Sequence, residues 1–213
     1  MPVKLNRNDA EIYTKDIFAS HYGANIKAFM PTILTLSNKD KMVGSVGINP
    51  GLSKSSLVEK YLNLPIEEEI KQYINRNVSR DEIIEVGNMV TSTAGGSISL
   101  IFMLTAFLKI TGYKYVIFTS TPLLLNSFKN LGLNPKFLAF ANKEKISYPD
   151  NWGTYYESNP RVVFGCVNDG YRSIQSKIVD SHYGKLAKIW EKSLQIGQSY
   201  SNKNLPDYLN LEY

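Results

Sequence analysis

Runs of apolar residues separated by short polar turns divide this chain into strands and helices. Residues 29–36 and 42–48 are two apolar runs joined by a polar turn, which predicts a β-hairpin. Residues 83–90 and 115–119 are almost wholly apolar, as in strands of a sheet buried on both faces. Apolar residues at helical spacing predict helices over residues 9–19, 65–74, 97–111 and from 172 onward.

The order of these elements predicts the fold. A strand, a helix and a second strand follow one another at 83–119, so we expect two adjacent parallel strands joined by the helix. With further strands at 139–141 and 162–167, the fold class is α/β, with a mixed twisted sheet of six or seven strands flanked by helices. We expect one domain over residues 1–170, then a C-terminal helical extension and tail over 171–213 that is loose after Pro206.

A turn rich in small residues, 91–97, connects the first of these strands to its helix. Thr91, Gly95, Gly96 and Ser97 surround the helix start, where unpartnered N–H groups and the helix dipole favour an anion. Glycine at such a turn lets a phosphate approach the backbone closely. The alternative is an ordinary tight turn before a core helix.

Two polar residues interrupt the strand that precedes this turn. A buried carboxylate at Glu85 would have a raised pKa, as a general base for an amine requires. Alternatively, Glu85 lies at a polar edge or pairs with Arg80. Asn88 could donate a hydrogen bond to a bound acyl group, or it could occupy a bulge beside Gly87.

The turn and the following helix resemble the acyl-CoA loop of the GNAT superfamily of acyltransferases. Gly95 matches that loop strictly, whereas Ser92 and Ser97 depart from it. The run 128–133 is similar to that family's Tyr-x-x-x-Gly-Phe ending, but Phe128 replaces the tyrosine that often protonates the leaving thiolate. The resemblance implies that an acyl-CoA or a phosphopantetheine-linked acyl donor binds along Met89, Val90, Thr91, Gly95, Gly96, Ser97 and Phe128.

A wider resemblance covers residues 10–165. Four runs are similar to the thermostable hemolysin family of bacterial proteins, which lies near the GNAT fold; they are 21–31, 57–62, 84–89 and 152–156. The layout is also similar to acyl-homoserine-lactone synthases, which take acyl groups from acyl carrier protein. The resemblance places His21 beside the substrate cleft, as a candidate acid or base. His182, in the C-terminal helix, is expected to be structural.

Composition narrows the function classes. The net charge of +5 arises from 24 basic and 19 acidic residues with no dense basic run, so we expect no nucleic-acid binding. One cysteine, Cys166, excludes an internal disulfide, and no His or Cys cluster has metal-ligand spacing. The chain shows no apolar signal core at its start and no 20-residue apolar run, so we expect a cytoplasmic protein with at most peripheral membrane contact.

The resulting hypothesis is an N-acyltransferase with Glu85, Asn88 and His21 as candidate catalytic residues. It has no prosthetic group and moves an acyl group from acyl-CoA or acyl carrier protein to a small amine. Acyl carrier protein and a second copy of the chain are candidate partners. The alternative, drawn from the family name, is a membrane-active haemolysin acting through the basic amphipathic helix at 172–195.

Overall fold

A seven-stranded mixed sheet forms the centre of the protein. The computed structural model describes residues 5–50, 56–178, 184–201 and 204–213. The strands are β1 (Thr32–Asn38), β2 (Lys41–Pro50), β3 (Ile83–Thr91), β4 (Tyr115–Ser120), β5 (Lys136–Phe140), β6 (Arg161–Cys166) and β7 (Tyr208–Glu212). They lie in the order β5-β6-β4-β3-β2-β1-β7. The predicted α/β class and mixed sheet are confirmed.

Helices cover both faces of this sheet. They are α1 (Arg7–Tyr22), α2 (Ile66–Ile74), α3 (Gly96–Ile110), α4 (Pro122–Asn130), α5 (Val167–Ile178) and α6 (Gly184–Gln198). Leu100, Met103 and Phe107 of α3 pack with Ile189 of α6 on one face, which we call the α3 face. The opposite face, which we call the α1 face, is covered by α1, α2 and a 3-10 turn, Val58–Tyr61.

The predicted hairpin is confirmed. Strands β1 and β2 pair antiparallel from Thr32–Ile48 to Asn38–Lys41. Lys39 and Asp40 have φ of 48° and 59° in the connecting turn, the left-handed conformation that a two-residue hairpin requires. The strand β2 also continues two residues beyond the predicted run, so Asn49 and Pro50 belong to the sheet rather than to a loop.

The strand–helix–strand unit is confirmed too. Strands β3 and β4 are parallel neighbours, paired from Ile83–Tyr115 to Val86–Phe118, and α3 connects them. Apolar residues dominate both strands because each strand lies inside the sheet with helices on both sides. This unit carries most of the site described below.

The apolar residues Ile12, Ile17 and Phe18 predict the inward face of the first helix, and the structure confirms only Phe18 as fully buried. Ala10, Thr14 and Phe18, at a four-residue spacing, face the sheet. Ile12, expected to point inward, is 48% exposed, because it lies on the opposite side of the helix from that stripe. Asn6 caps the helix with its side chain, and Gly23 ends it at φ 62°.

The expectation of a loose C-terminus is wrong. Strand β7 pairs parallel with β1, and Leu211 is only 1% exposed beneath α6. The apolar face of α6, including Ile189 and Trp190, is buried within the domain. The proposed boundary at 170/171 falls inside α5 and stays a prediction, while His182 lies outside the described residues. No helix among the described residues is both long and apolar enough to cross a bilayer.

Candidate functional site

A β-bulge in β3 is the first local feature of the site. Gly47 pairs with Gly87 and Ser45 with Val90, so the single residue Val46 faces two residues of β3, Asn88 and Met89. Asn88 has φ 49°, a left-handed conformation that asparagine tolerates better than most residues. The alternative in which Asn88 occupies a bulge is therefore confirmed, and its role toward an acyl group stays a prediction.

The bulge coincides with a slot between β3 and β4. The parallel pairing ends at Val86–Phe118, although β3 continues to Thr91 and β4 to Ser120. Beyond this point the two strands diverge. The backbone of 87–91 that faces β4 is thus available to hydrogen-bond an extended ligand, as one more strand would.

A cavity of about 1220 Å³ passes through this slot. Its wall includes Gly87, Asn88 and Met89 of β3 opposite Phe118 and Thr119 of β4. Residues from both faces of the sheet line it, so the cavity connects the α1 face with the α3 face. A space of this size accommodates a drug-sized ligand or two smaller substrates.

The α3-face part of the cavity is aliphatic and aromatic. Its lining includes Leu104 and Leu108 of α3, Val116 of β4, Phe128 of α4 and Val167 of α5. The Phe128 ring lies 5.1 Å from that of Phe118. Apolar walls of this kind suit a hydrocarbon chain, because burying each CH₂ group contributes roughly 0.8 kcal/mol.

Glu85 lies in the α1-face part and is only 1% exposed. Its carboxylate accepts hydrogen bonds from Asn49 Nδ2 and from the Val58 N–H, each at 3.0 Å. Burial raises the pKa of Glu85, against hydrogen bonds from Asn49, Val58, Ser56 and Leu57 that lower it. The alternative pairing with Arg80 is wrong, since Arg80 instead binds Glu59 and Glu67 at 2.7 Å.

Aromatic side chains form the rest of the α1-face wall. Phe18 and Tyr22 of α1 contact Tyr155, with ring centroids 6.4 and 5.3 Å apart. The Tyr61 and Tyr156 hydroxyls lie 2.6 Å from each other. All five residues line the cavity, as does Trp152. The aromatic run at 152–156 therefore both packs together and lines a pocket.

The turn after β3 lies at the outer end of the slot. Thr91 and Ser97 line the cavity, while Gly95 is exposed just outside it with φ 71° and no atom within 4 Å of a would-be Cβ. Gly96 is buried, and a Cβ there would collide with Thr91 Oγ1. Tyr13 of α1 steadies the turn by accepting a hydrogen bond of 2.9 Å from the Ser92 N–H.

The other predicted site residues occupy distinct places around the cavity. Met89 and Val90 line it, and Val90 also packs against the Phe18 cluster. His21 is exposed at the rim, where its Nδ1 lies 2.9 Å from the Ile17 carbonyl oxygen. The structure thus gathers nearly all the candidates around one cavity, with Gly95 and Gly96 just beyond its mouth.

Sequence reasoning missed Asn49, the turn at 56–58 and Met30. Asn49 follows an apolar run and precedes Pro50, a pattern typical of a loop, so nothing local placed it opposite Glu85. Met30 lies in an apolar run that predicts only a strand, so nothing local indicated that it lines a pocket. Within the described residues, no group of three His, Cys, Asp or Glu side chains could hold a metal ion.

The comparisons with known proteins agree with this architecture. The sequence profile described as Thermostable hemolysin matches residues 2–171, so the chain belongs to that family. No curated protein matches the chain.

Solved structures of similar fold include FeeM, an N-acyl amino acid synthase from uncultured soil microbes. It is 14% identical with a TM-score of 0.50, over 78% of this chain and 94% of that one. BjaI, a CoA-dependent acyl-homoserine lactone synthase solved with MTA, is 12% identical with a TM-score of 0.47, over 93% and 82%. The likeness to FeeM shows a shared, GNAT-like fold.

Proposed function

We propose that this protein is an N-acyltransferase that moves an acyl group from a thioester to the amine of a small molecule. The observation that carries the proposal is the continuous cavity through the β3–β4 slot. An apolar compartment on one face suits an acyl chain, and a compartment with a buried carboxylate on the other suits an amine. The thioester would lie between them. FeeM, a protein of similar fold, is an N-acyl amino acid synthase, which supports this reaction class.

The donor would enter from the turn at 91–97. A pantetheine arm along 87–91 would hydrogen-bond the backbone that β4 leaves unpaired, with Asn88 within the bulge beside it. Its phosphate would lie against the start of α3, where the dipole favours negative charge. Acyl-CoA and an acyl carrier protein share this arm, and the net charge of +5 favours an acidic carrier.

The chemistry would use Glu85 as general base, directly or through a water. The amine nitrogen attacks the thioester carbonyl, the C–N bond forms, the C–S bond breaks, and the nitrogen's proton passes to Glu85. With phenylalanine at 128, no hydroxyl is available there to protonate the sulfur. A thiol has a pKa near 8.5, so the thiolate can leave and take its proton from solvent. His21 at the rim is a further candidate for proton transfer.

The membrane-active alternative gains no support from the helix that suggested it. In α6, Ile189 and Trp190 are buried, and the half-buried Leu186, Leu194 and Ile196 pack against the cores on the same side. Two of its lysines also have local partners, since Lys185 lies over the Tyr213 ring and Lys192 contacts the Glu212 carbonyl oxygen. A helix whose apolar face is already packed must leave the domain before it can enter a bilayer.

The proposal is tested by incubating purified protein with octanoyl-CoA and a mixture of primary amines. Release of free thiol together with an N-octanoyl amide, identified by mass spectrometry, is the expected result. Octanoyl-phosphopantetheine on an acyl carrier protein is the second donor to try. Failure of both donors with every amine would overturn the proposal.

A further inference from the structure

A pair of facing glycines forms a trough on the α1 face, next to the slot. Gly47 of β2 and Gly87 of β3 lie directly opposite each other in the sheet. Neither has a Cβ, so the sheet surface is hollow at this point, just before β3 bulges away from its neighbours. Glu85 lies two residues earlier on the same strand and face.

The side chain of Met30 fills this trough. A Cβ on Gly47 would lie 2.7 Å from Cβ and Cγ of Met30, and a Cβ on Gly87 would lie 2.5 Å from its Cε. The methionine therefore lies across both glycines, with its tip over Gly87. Met30 also lines the cavity and is only half-buried, so one side of it faces the substrate space.

The side chain of Arg7 holds the backbone at Met30 in place. Arg7 Nη2 donates to the Met30 carbonyl oxygen at 3.0 Å, and Arg7 Nη1 donates to those of Pro31 and Asp207 at 2.7 Å. The guanidinium thus ties the segment to the loop that leads into β7. Such an anchor fixes where the side chain starts, while the unbranched thioether can still adjust at its tip.

We propose that Met30 sets the size of the amine acceptor. This inference rests on the proposed function, because it places the amine in the compartment beside Glu85. The thioether lies next to the slot. The carbon that bears the reacting nitrogen would lie directly above it. An amine with one bulky group on that carbon fits above Met30, whereas an amine with two bulky groups there collides with it.

The test compares two probe amines, benzylamine and diphenylmethylamine, which differ by one phenyl ring on the carbon that bears nitrogen. Aromatic probes suit the walls formed by Phe18, Tyr22 and Tyr155. Calorimetric titration without donor should show that the wild type binds benzylamine and excludes diphenylmethylamine. Met30→Ala should bind diphenylmethylamine at least tenfold more tightly than the wild type does.

A compensating pair sharpens the test. In the Met30→Ala background, Gly87→Ala should refill part of the trough and reverse much of the gain. Met42→Ala, which truncates a buried methionine that does not line the cavity, should leave both affinities as in the wild type. Met30→Leu, which keeps Cβ and Cγ and replaces the Sδ–Cε tip over Gly87 with two shorter methyl groups, gives a milder version if Met30→Ala unfolds.

The outcomes separate this inference from the proposed function. If the ratio of the two amine affinities is the same in wild type and Met30→Ala, the inference is overturned. It is also overturned if neither amine binds to either protein. Turnover is measured apart, by thiol release from octanoyl-CoA. If Met30→Ala shifts the size preference but no thiol is released, the inferred role of Met30 stands. Only the proposed acyl-transfer reaction is then overturned.

Discussion

Asn49 Nδ2 donates a hydrogen bond of 3.0 Å to Glu85 Oε2, across the antiparallel pair in which the two residues face each other. This contact fixes the carboxylate within the α1-face compartment. The Val58 N–H fixes the other oxygen, so the carboxylate also connects the sheet to the turn at 56–58. Glu85 is therefore a preorganised group rather than a freely rotating one.

Replacing Glu85 with glutamine should lower the rate of acyl transfer by about 10²–10⁴-fold, the usual contribution of a general base. The affinity for the donor should change little, because the proposed function places the amine, not the donor, beside Glu85. Steady-state kinetics and donor titration measure the two effects separately. Glu82→Gln, in the turn just before the same strand, changes ion pairs with Arg76 and Lys114 outside the cavity and serves as the control.

An equal loss of rate in Glu82→Gln would contradict the role of Glu85. The same holds if Glu85→Gln retains the full rate. A loss of donor affinity that parallels the loss of rate would show that glutamine distorts the slot.

The rate should rise with pH through the pKa of Glu85. Burial places that pKa above the ordinary value of 4.5, so the base becomes active at a higher pH than an exposed glutamate would. A pH profile of kcat/KM for the wild type should show this ascending limb, and the profile of Glu85→Gln should lack it. An ascending limb that persists unchanged in Glu85→Gln would assign the titration to another group.

Stability gives an independent check on the same pKa. The folded protein holds the Glu85 proton to a higher pH than the unfolded chain does. This contribution therefore favours the fold at low pH and is lost as pH rises from 4.5 through the folded pKa. Comparing denaturant unfolding of wild type and Glu85→Gln across that window isolates it, and identical pH dependences would show that burial does not raise the pKa.

Ser97→Glu should weaken binding of octanoyl-CoA by at least about tenfold, because it places a negative charge at the start of α3, where the donor phosphate would lie. Isothermal calorimetry measures the affinity. Ser199→Glu changes the net charge equally at an exposed position after α6 and should have no effect. Gly96 is unsuited to this test, because a side chain there collides with Thr91 and disturbs the turn itself.

If Ser97→Glu binds octanoyl-CoA as tightly as the wild type does, the donor phosphate does not lie at this turn. If Ser97→Glu and Ser199→Glu weaken octanoyl-CoA binding equally, the change in net charge alone explains the effect.

Leu211→Ala should destabilise the protein by about 2–5 kcal/mol, because Leu211 is buried in the main core from the last strand. Leu64→Ala, at a leucine that is 46% exposed, should cost under about 0.5 kcal/mol. Denaturant unfolding measures both. Equal, small costs would mean that β7 contributes little to the fold.

Local sequence patterns were sufficient to predict those strands and helices whose packing or pairing partners are close in sequence. The β1–β2 hairpin and the β3–α3–β4 unit followed from apolar runs and the turns between them. Strand β7 alternates at 208–212, but a run of five residues gave little signal, and each residue of β7 pairs with one of β1 that lies 175 positions earlier. Such long-range pairing depends on which sheet edge is free, and this is a property of the whole fold.

The candidate site shows the same division. Glu85 stood out as a charge within an apolar strand, and its burial followed from that pattern. Its partner Asn49 and the trough between Gly47 and Gly87 depend on the register of β2 against β3, which the bulge at Asn88 shifts by one residue. A register of this kind cannot be derived from either strand alone.

We propose that the protein transfers acyl groups and does not act on membranes by itself. To test this, purified wild type and Glu85→Gln are each incubated with dye-loaded liposomes, with and without octanoyl-CoA and an amine. Dye release and amide formation are recorded in the same samples. We expect no dye release from either protein without donor, and rapid amide formation only where wild type, donor and amine are all present. Equal dye release by wild type and Glu85→Gln in the absence of donor would contradict it.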